Sequence, residues 1–177
     1  MIILPFGAIR YAIDALHRLH LTVLWSSGQL SERDIVRLPT LGIEAVVNLA
    51  LPTSSNALPG EAELVTKQGL AYIQIPVEWE RPEPEQFAQF VGVLNAFARR
   101  KVWIHCAKNM RVSVFIYLYR KHVLGESEEL ASFPMREVWS PNETWQEFIN
   151  RVAVMHFNPT LKRDCADKTS RSPLASR

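Results

Sequence analysis

The run Lys101-Val102-Trp103-Ile104-His105 ends in Cys106, and the short segment Ala107-Lys108-Asn109-Met110-Arg111 then leads into a helical pattern over Val112 to Tyr119. A strand that turns within a few residues into a helix puts a thiol at a helix N-terminus. Backbone N–H groups left unpaired there, together with the helix dipole, favour a bound anion. The strand is apolar almost throughout, which requires cover on both faces, as in a parallel sheet held between helices.

The rest of the chain supplies that cover. Thr22 to Trp25 reads as a first strand, Ser26 to Gln29 as a turn, and Ser31 with Asp34 three residues on as the cap of a helix closing near Gly42. Ile43 to Leu51 is a second apolar, β-branched run. A loop with Pro52, Ser54, Asn56 and Pro59 follows, then a helix from Glu61 to Gly69 and a strand from Leu70 to Ile75. Pro76, Pro82 and Pro84 keep the next segment out of a sheet interior. Phe87, Phe90, Val91, Leu94 and Phe97 lie at helical spacing over Glu85 to Arg100. Glu126 to Pro141 is less regular, and Glu143 to His156 reads as a last packing helix. Alternating strands and helices predict an α/β fold of three layers, a central mostly parallel sheet of about four to five strands flanked by helices.

A chain of 177 residues is long enough for one good core and short for two. The expected organisation is one domain over residues 22–157, with an N-terminal packing segment over 1–21 and a basic, disordered tail over 158–177. Ile9, Ala12, Ile13, Leu16 and Leu19 give the first segment roughly helical spacing. The net charge of +2 makes no electrostatic case for nucleic acid, and no apolar run reaches membrane-spanning length. Arg10, Asp14, His17 and Arg18 interrupt what a signal peptide would keep apolar, so a cytoplasmic protein is expected. Only Cys106 and Cys165 occur, in unrelated contexts, so a reduced, free thiol is expected rather than a disulfide framework.

A cysteine attacks only as thiolate, and a helix N-terminus stabilises that charge. The same amides can hold the oxygens of a phosphoryl group above the sulfur, which makes covalent catalysis through phosphocysteine the natural chemistry of the loop. Taken singly, Cys106 reads equally as an inert core thiol, His105 as a satisfied core histidine, and Arg111 as a solvated first-turn side chain.

Several stretches together remove much of that ambiguity. Ser27-Gly28-Gln29, Val46-Val47-Asn48-Leu49, Gly69 to Val77 and Val102 to Cys106 occur in an order and at intervals that resemble the cysteine-dependent protein tyrosine phosphatases, in particular their compact bacterial and dual-specificity-like branch. The resemblance covers roughly residues 22–125. It implies Cys106 as nucleophile, His105 as support for the loop and thiolate, and Ala107, Lys108, Asn109, Met110 and Val112 as the phosphate-binding loop. Ser113 would assist sulfur departure when phosphocysteine is hydrolysed. Asn109 stands where many members carry glycine, a mild exchange because asparagine tolerates left-handed backbone. The general acid would come from the loop one strand upstream, as Glu78 or Glu80 on either side of Trp79. No metal or cofactor is implied, and the expected partner is a phosphorylated protein or a small phosphomonoester.

The signature departs from the family at one place. The phosphate-clamping arginine belongs six residues past the cysteine, where this chain has Val112, and Arg111 comes one residue early. One residue is about 100° around a helix. Either the loop is shortened so that Arg111 clamps, or Ser113 keeps its register and the clamp is missing, with Lys108 and Arg81 as substitute cations; the position of Ser113 favours the second. Two other readings therefore stand beside a phosphatase: a pseudophosphatase that binds phosphate or phosphorylated partners, and a sulfurtransferase carrying a persulfide on Cys106.

Overall fold

Residues 9–11 and 23–155 are described by a computed structural model. The strands are β1 (Ile9–Tyr11), β2 (Val23–Ser27), β3 (Ala45–Asn48), β4 (Ala71–Gln74) and β5 (Lys101–His105). The helices are α1 (Glu32–Arg37), α2 (Glu61–Lys67), α3 (Pro84–Ala96), α4 (Met110–Leu118), α5 (Glu128–Val138) and α6 (Glu143–Ala153). One sheet contains all five strands in the order β1-β2-β5-β3-β4, with β2, β5, β3 and β4 parallel and β1 antiparallel on the edge. The three-layer α/β expectation matches this architecture.

Alternation along each strand assigns the two layers. Leu24, Ala45, Val47, Val102 and Ile104 face the core formed with α3, α4, α5 and α6. Trp25, Val46 and Trp103 face a second core with Ile35 of α1 and Val65 of α2. Arg111 to Leu118 of α4 are all buried, so this helix lies inside the first layer rather than on its surface. Phe115 at its centre meets the rings of Phe87, Phe90 and Phe148 at centroid distances of 5.5 to 5.8 Å. Truncating such a side chain to alanine costs about 3–5 kcal/mol.

Strand order fixes where a ligand can sit. The connection from β3 leads to α2 on one face of the sheet, whereas its neighbour β5 leads to α4 on the other. Adjacent connections that diverge in this way open a crevice at the carboxyl ends of the strands. Ser27, His105 and Asn48 are paired in register at that end, and Cys106 follows directly.

Three local expectations are corrected. The first strand continues through Ser27, because Ser26 and Ser27 pair with Ile104 and His105 and leave only Gly28 and Gln29 for the turn. Ile9–Tyr11 pairs with β2, so part of the segment expected to stand before the domain joins its sheet; edge pairing, not helical spacing, decides it. Glu126 to Pro141 holds the helix α5, capped by Ser127 and continuing through Pro134. The expected basic tail lies outside the described residues.

Candidate active site

Cys106 is buried at the mouth of the crevice, and two neighbouring segments, residues 27–29 and the loop carrying Asn56, hold its loop. Its N–H donates to Ser27 O at 3.4 Å, and Ala107 O accepts from Gln29 N at 3.3 Å and from Asn56 Nδ2 at 2.9 Å. Gly28 pairs with Lys108, and a Cβ at Gly28 would lie 3.2 Å from Ala107 O, tighter than ordinary contact. The backbone turns at Asn109, whose φ of 64° is left-handed, and α4 starts at Met110. Asparagine therefore performs the turn for which glycine is the usual residue.

The helix register separates the two candidate clamp positions. Val112 is fully buried within the main core. The Arg111 side chain, only 7% exposed, lies with Cζ 5.4 Å from the centroid of the Trp79 ring. Its Nε is buried without a hydrogen-bond partner, and among the described residues no carboxylate forms an ion pair with it. A buried Nε–H left this way is costly, and a bound anion would relieve it. Val112, at the position six residues past the cysteine, is a core side chain, and Arg111 lies beside Trp79 at the start of α4.

Trp79, which meets Arg111, belongs to a cluster of three tryptophans. Trp79 packs on Trp139 and Trp145 with centroids 5.2 Å away in each case. Trp145 Nε1 donates to Trp79 O at 3.1 Å, and Trp139 Nε1 donates to Met110 O and to Ser113 Oγ, both at 3.2 Å. The upstream loop and the thiol loop are thus tied to the same pair of C-terminal helices. The Ser113 hydroxyl donates to Met110 O at 2.8 Å, inside its own helix. Glu78 and Glu80 flank Trp79 as expected but are exposed, and Glu78 pairs with Arg81 at 3.4 Å. Lys108 is exposed as well.

Behind the thiol lies a group that sequence reasoning passed over. Glu61, the first residue of α2, is 6% exposed and receives hydrogen bonds from Gln29 Nε2 at 2.7 Å and Asn48 Nδ2 at 2.9 Å. Burial raises its pKa, with those hydrogen bonds and one from Tyr72 acting in the opposite direction. His105 is fully buried, with Nε2 3.3 Å from Glu61 Oε1 and neither ring nitrogen in full hydrogen-bond geometry. Burial pushes its pKa down to about 3, so the ring is neutral. Nothing in the sequence marked Glu61, since an acidic residue in a first helical turn is common.

A family model described as a DSP-PTPase phosphatase fused to NAD+ kinase matches residues 11–153. The chain belongs to this phosphatase family. A protein of the DUF442 group from Shewanella putrefaciens CN-32, carrying a provisional phosphatase designation, is 31% identical, with a TM-score of 0.66 over 73% of this chain and 85% of its own. Tk-PTP in its active form shares the fold at 20% identity, TM-score 0.63, covering 73% of this chain and 90% of its own. Kinase associated phosphatase, solved with its catalytic-site cysteine replaced by serine, shares it at 16% identity, TM-score 0.62, with coverage of 76% and 89%. No curated protein matches the sequence. For this DSP-PTPase chain, family and fold are those of the cysteine-based phosphatases. Among the described residues no helix is long and apolar enough to cross a membrane.

Proposed function

We propose that the chain hydrolyses phosphomonoesters, on a phosphorylated protein or a small molecule in the cytoplasm, through a phosphocysteine on Cys106. The thiolate attacks phosphorus, the bond from phosphorus to the ester oxygen breaks, and that oxygen leaves with a proton from Glu78 or Glu80. Water then attacks phosphorus and passes a proton to the same glutamate carboxylate, the S–P bond breaks, and inorganic phosphate and the thiolate are released. Backbone amides of residues 107–112 and the Arg111 guanidinium hold the phosphoryl oxygens, with the Trp79 ring fixing the guanidinium by cation–π contact. The single observation that carries this reading is the buried Arg111 Nε without a partner beside the thiol loop.

Purified protein should release phosphate from an aryl phosphate without added metal, be blocked by vanadate, and lose all turnover as Cys106→Ser. Equal rates for wild type and that variant would end the proposal. A phosphate-binding protein with little turnover is the second reading, favoured by the exposure of Glu78 and Glu80 and by the Ser113 hydroxyl being held within its helix. Calorimetric binding of phosphate with no hydrolysis of any aryl ester would select it.

A further inference from the structure

We infer that Glu61 carries a proton in the working protein and acts as an uncharged positioning residue, anchoring His105, and through it Cys106, without adding negative charge behind the anion site. The inference rests on the proposed role of Cys106 and extends to a residue outside the signature loop.

The hydrogen-bond geometry requires the proton. Gln74 Nε2 donates to two backbone carbonyls, Asn48 O and Ala50 O, so its Oε1 is an acceptor, 2.9 Å from Tyr72 Oη. Asn48 Oδ1 accepts from Ala50 N at 2.7 Å, which leaves Asn48 Nδ2 as the donor to Glu61 Oε2 and, at 3.1 Å, to Tyr72 Oη. Two further contacts each need a hydrogen between their heavy atoms, Tyr72 to Gln74 and Tyr72 to Glu61 Oε2 at 3.1 Å, while His105 Nε2 lies 3.3 Å from Glu61 Oε1 without hydrogen-bond geometry. Tyr72 supplies one hydrogen, which goes to Gln74 Oε1. The second, between Glu61 Oε2 and Tyr72 Oη, belongs on Glu61.

Charge points the same way. The titratable groups facing Glu61 are Tyr72 on β4 and His105 on β5, while the loop after β2 and the end of β3 present the neutral amides of Gln29 and Asn48. Among the described residues no cation reaches the buried carboxyl, so ionisation would leave an uncompensated charge. That charge would oppose both a thiolate and a phosphoryl dianion one residue away from His105. Protonated, Glu61 joins the ends of β2, β3, β4 and β5 with no such penalty.

The test uses vanadate binding and infrared spectroscopy, neither of which needs turnover. Glu61→Ala should weaken vanadate binding at neutral pH on the order of tenfold, by leaving the amides of Gln29 and Asn48, the Tyr72 hydroxyl and His105 unanchored, and Glu61→Gln should recover it. Wild type should lose affinity as pH rises through the ionisation of Glu61, and the glutamine variant should lack that limb. Difference infrared between wild type and Glu61→Gln at neutral pH should contain the C=O stretch of a protonated acid. Absence of that band overturns the inference. So does vanadate binding about tenfold or more tighter in Glu61→Gln, the sign expected if the exchange removed an ionised carboxylate. If Cys106→Ser still hydrolyses aryl phosphate, the phosphatase reading fails while these results on Glu61 stand.

Discussion

Replacing Arg111 by methionine should move stability and function in opposite directions. The side chain is 7% exposed and its Nε has no partner, so its positive charge is a burden on the fold when no anion is bound. Exchanging buried charge for a well-packed apolar residue of similar volume is commonly neutral or stabilising by about 1–4 kcal/mol. The cation–π contact with Trp79 offsets part of this, by about 0.5–2 kcal/mol. The difference lies between about −2 and about +3.5 kcal/mol, so Arg111→Met should unfold in urea at a midpoint close to or above that of wild type. Anion binding should respond the other way. Saturating phosphate stabilises a competent site by about 2.7 kcal/mol at one hundred times Kd, a gain that Arg111→Met should lack, together with a fall in kcat/KM on the order of a hundredfold to a thousandfold. Parallel urea titrations with and without phosphate measure both effects. A variant several kcal/mol less stable than wild type, yet still stabilised by phosphate, would refute the assignment of Arg111 as the clamp.

Acidification should destabilise the protein through His105. Its folded pKa of about 3 lies below the unfolded value of 6.5, so its contribution is complete above pH 6.5 and is lost at about 1.4 kcal/mol per pH unit as pH falls toward 3. Glu61 has the opposite sign, its contribution disappearing as pH rises through its raised value. Urea unfolding across this range should give His105→Asn a shallower acid slope than wild type, and identical slopes would contradict the assignment. Gly28→Ala, whose new methyl would press on Ala107 O, should lower kcat/KM by more than its loss of stability explains, since the contact displaces the thiol loop. Glu78→Gln and Glu80→Gln, assayed over a series of aryl phosphates, should single out the general acid as the variant whose rate falls most for the poorest leaving group; equal, flat responses in both would remove these residues from the mechanism.

Much of the frame was legible because burial leaves a mark on composition. The apolar run over residues 101–105 coincides with β5, and the Ser31 and Asp34 capping box forms as its spacing suggested. Features set by contacts between distant segments were not legible. The three-residue β1 exists because β2 offers it an edge, and α5 was obscured by the interior Pro134 and by an outer face that mixes Glu128, Glu129 and Arg136 with exposed Leu130 and Phe133. The register at Arg111 and Val112 was ambiguous in sequence because both are compatible with an amphipathic helix start. Burial of α4 on all sides puts Val112 in the core, and Arg111 lies beside Trp79. Glu61 owes its character to side chains from three strands and a loop, a convergence that no local pattern records.

Covalent trapping tests the central claim most directly. Wild-type protein mixed with an aryl phosphate, quenched during turnover and digested, should yield the peptide containing Cys106 with a phosphoryl group on sulfur, and Cys106→Ser should yield none under the same conditions. Turnover by wild type with no phosphate on Cys106 at any quench time, or phosphate found on another residue instead, would contradict the account.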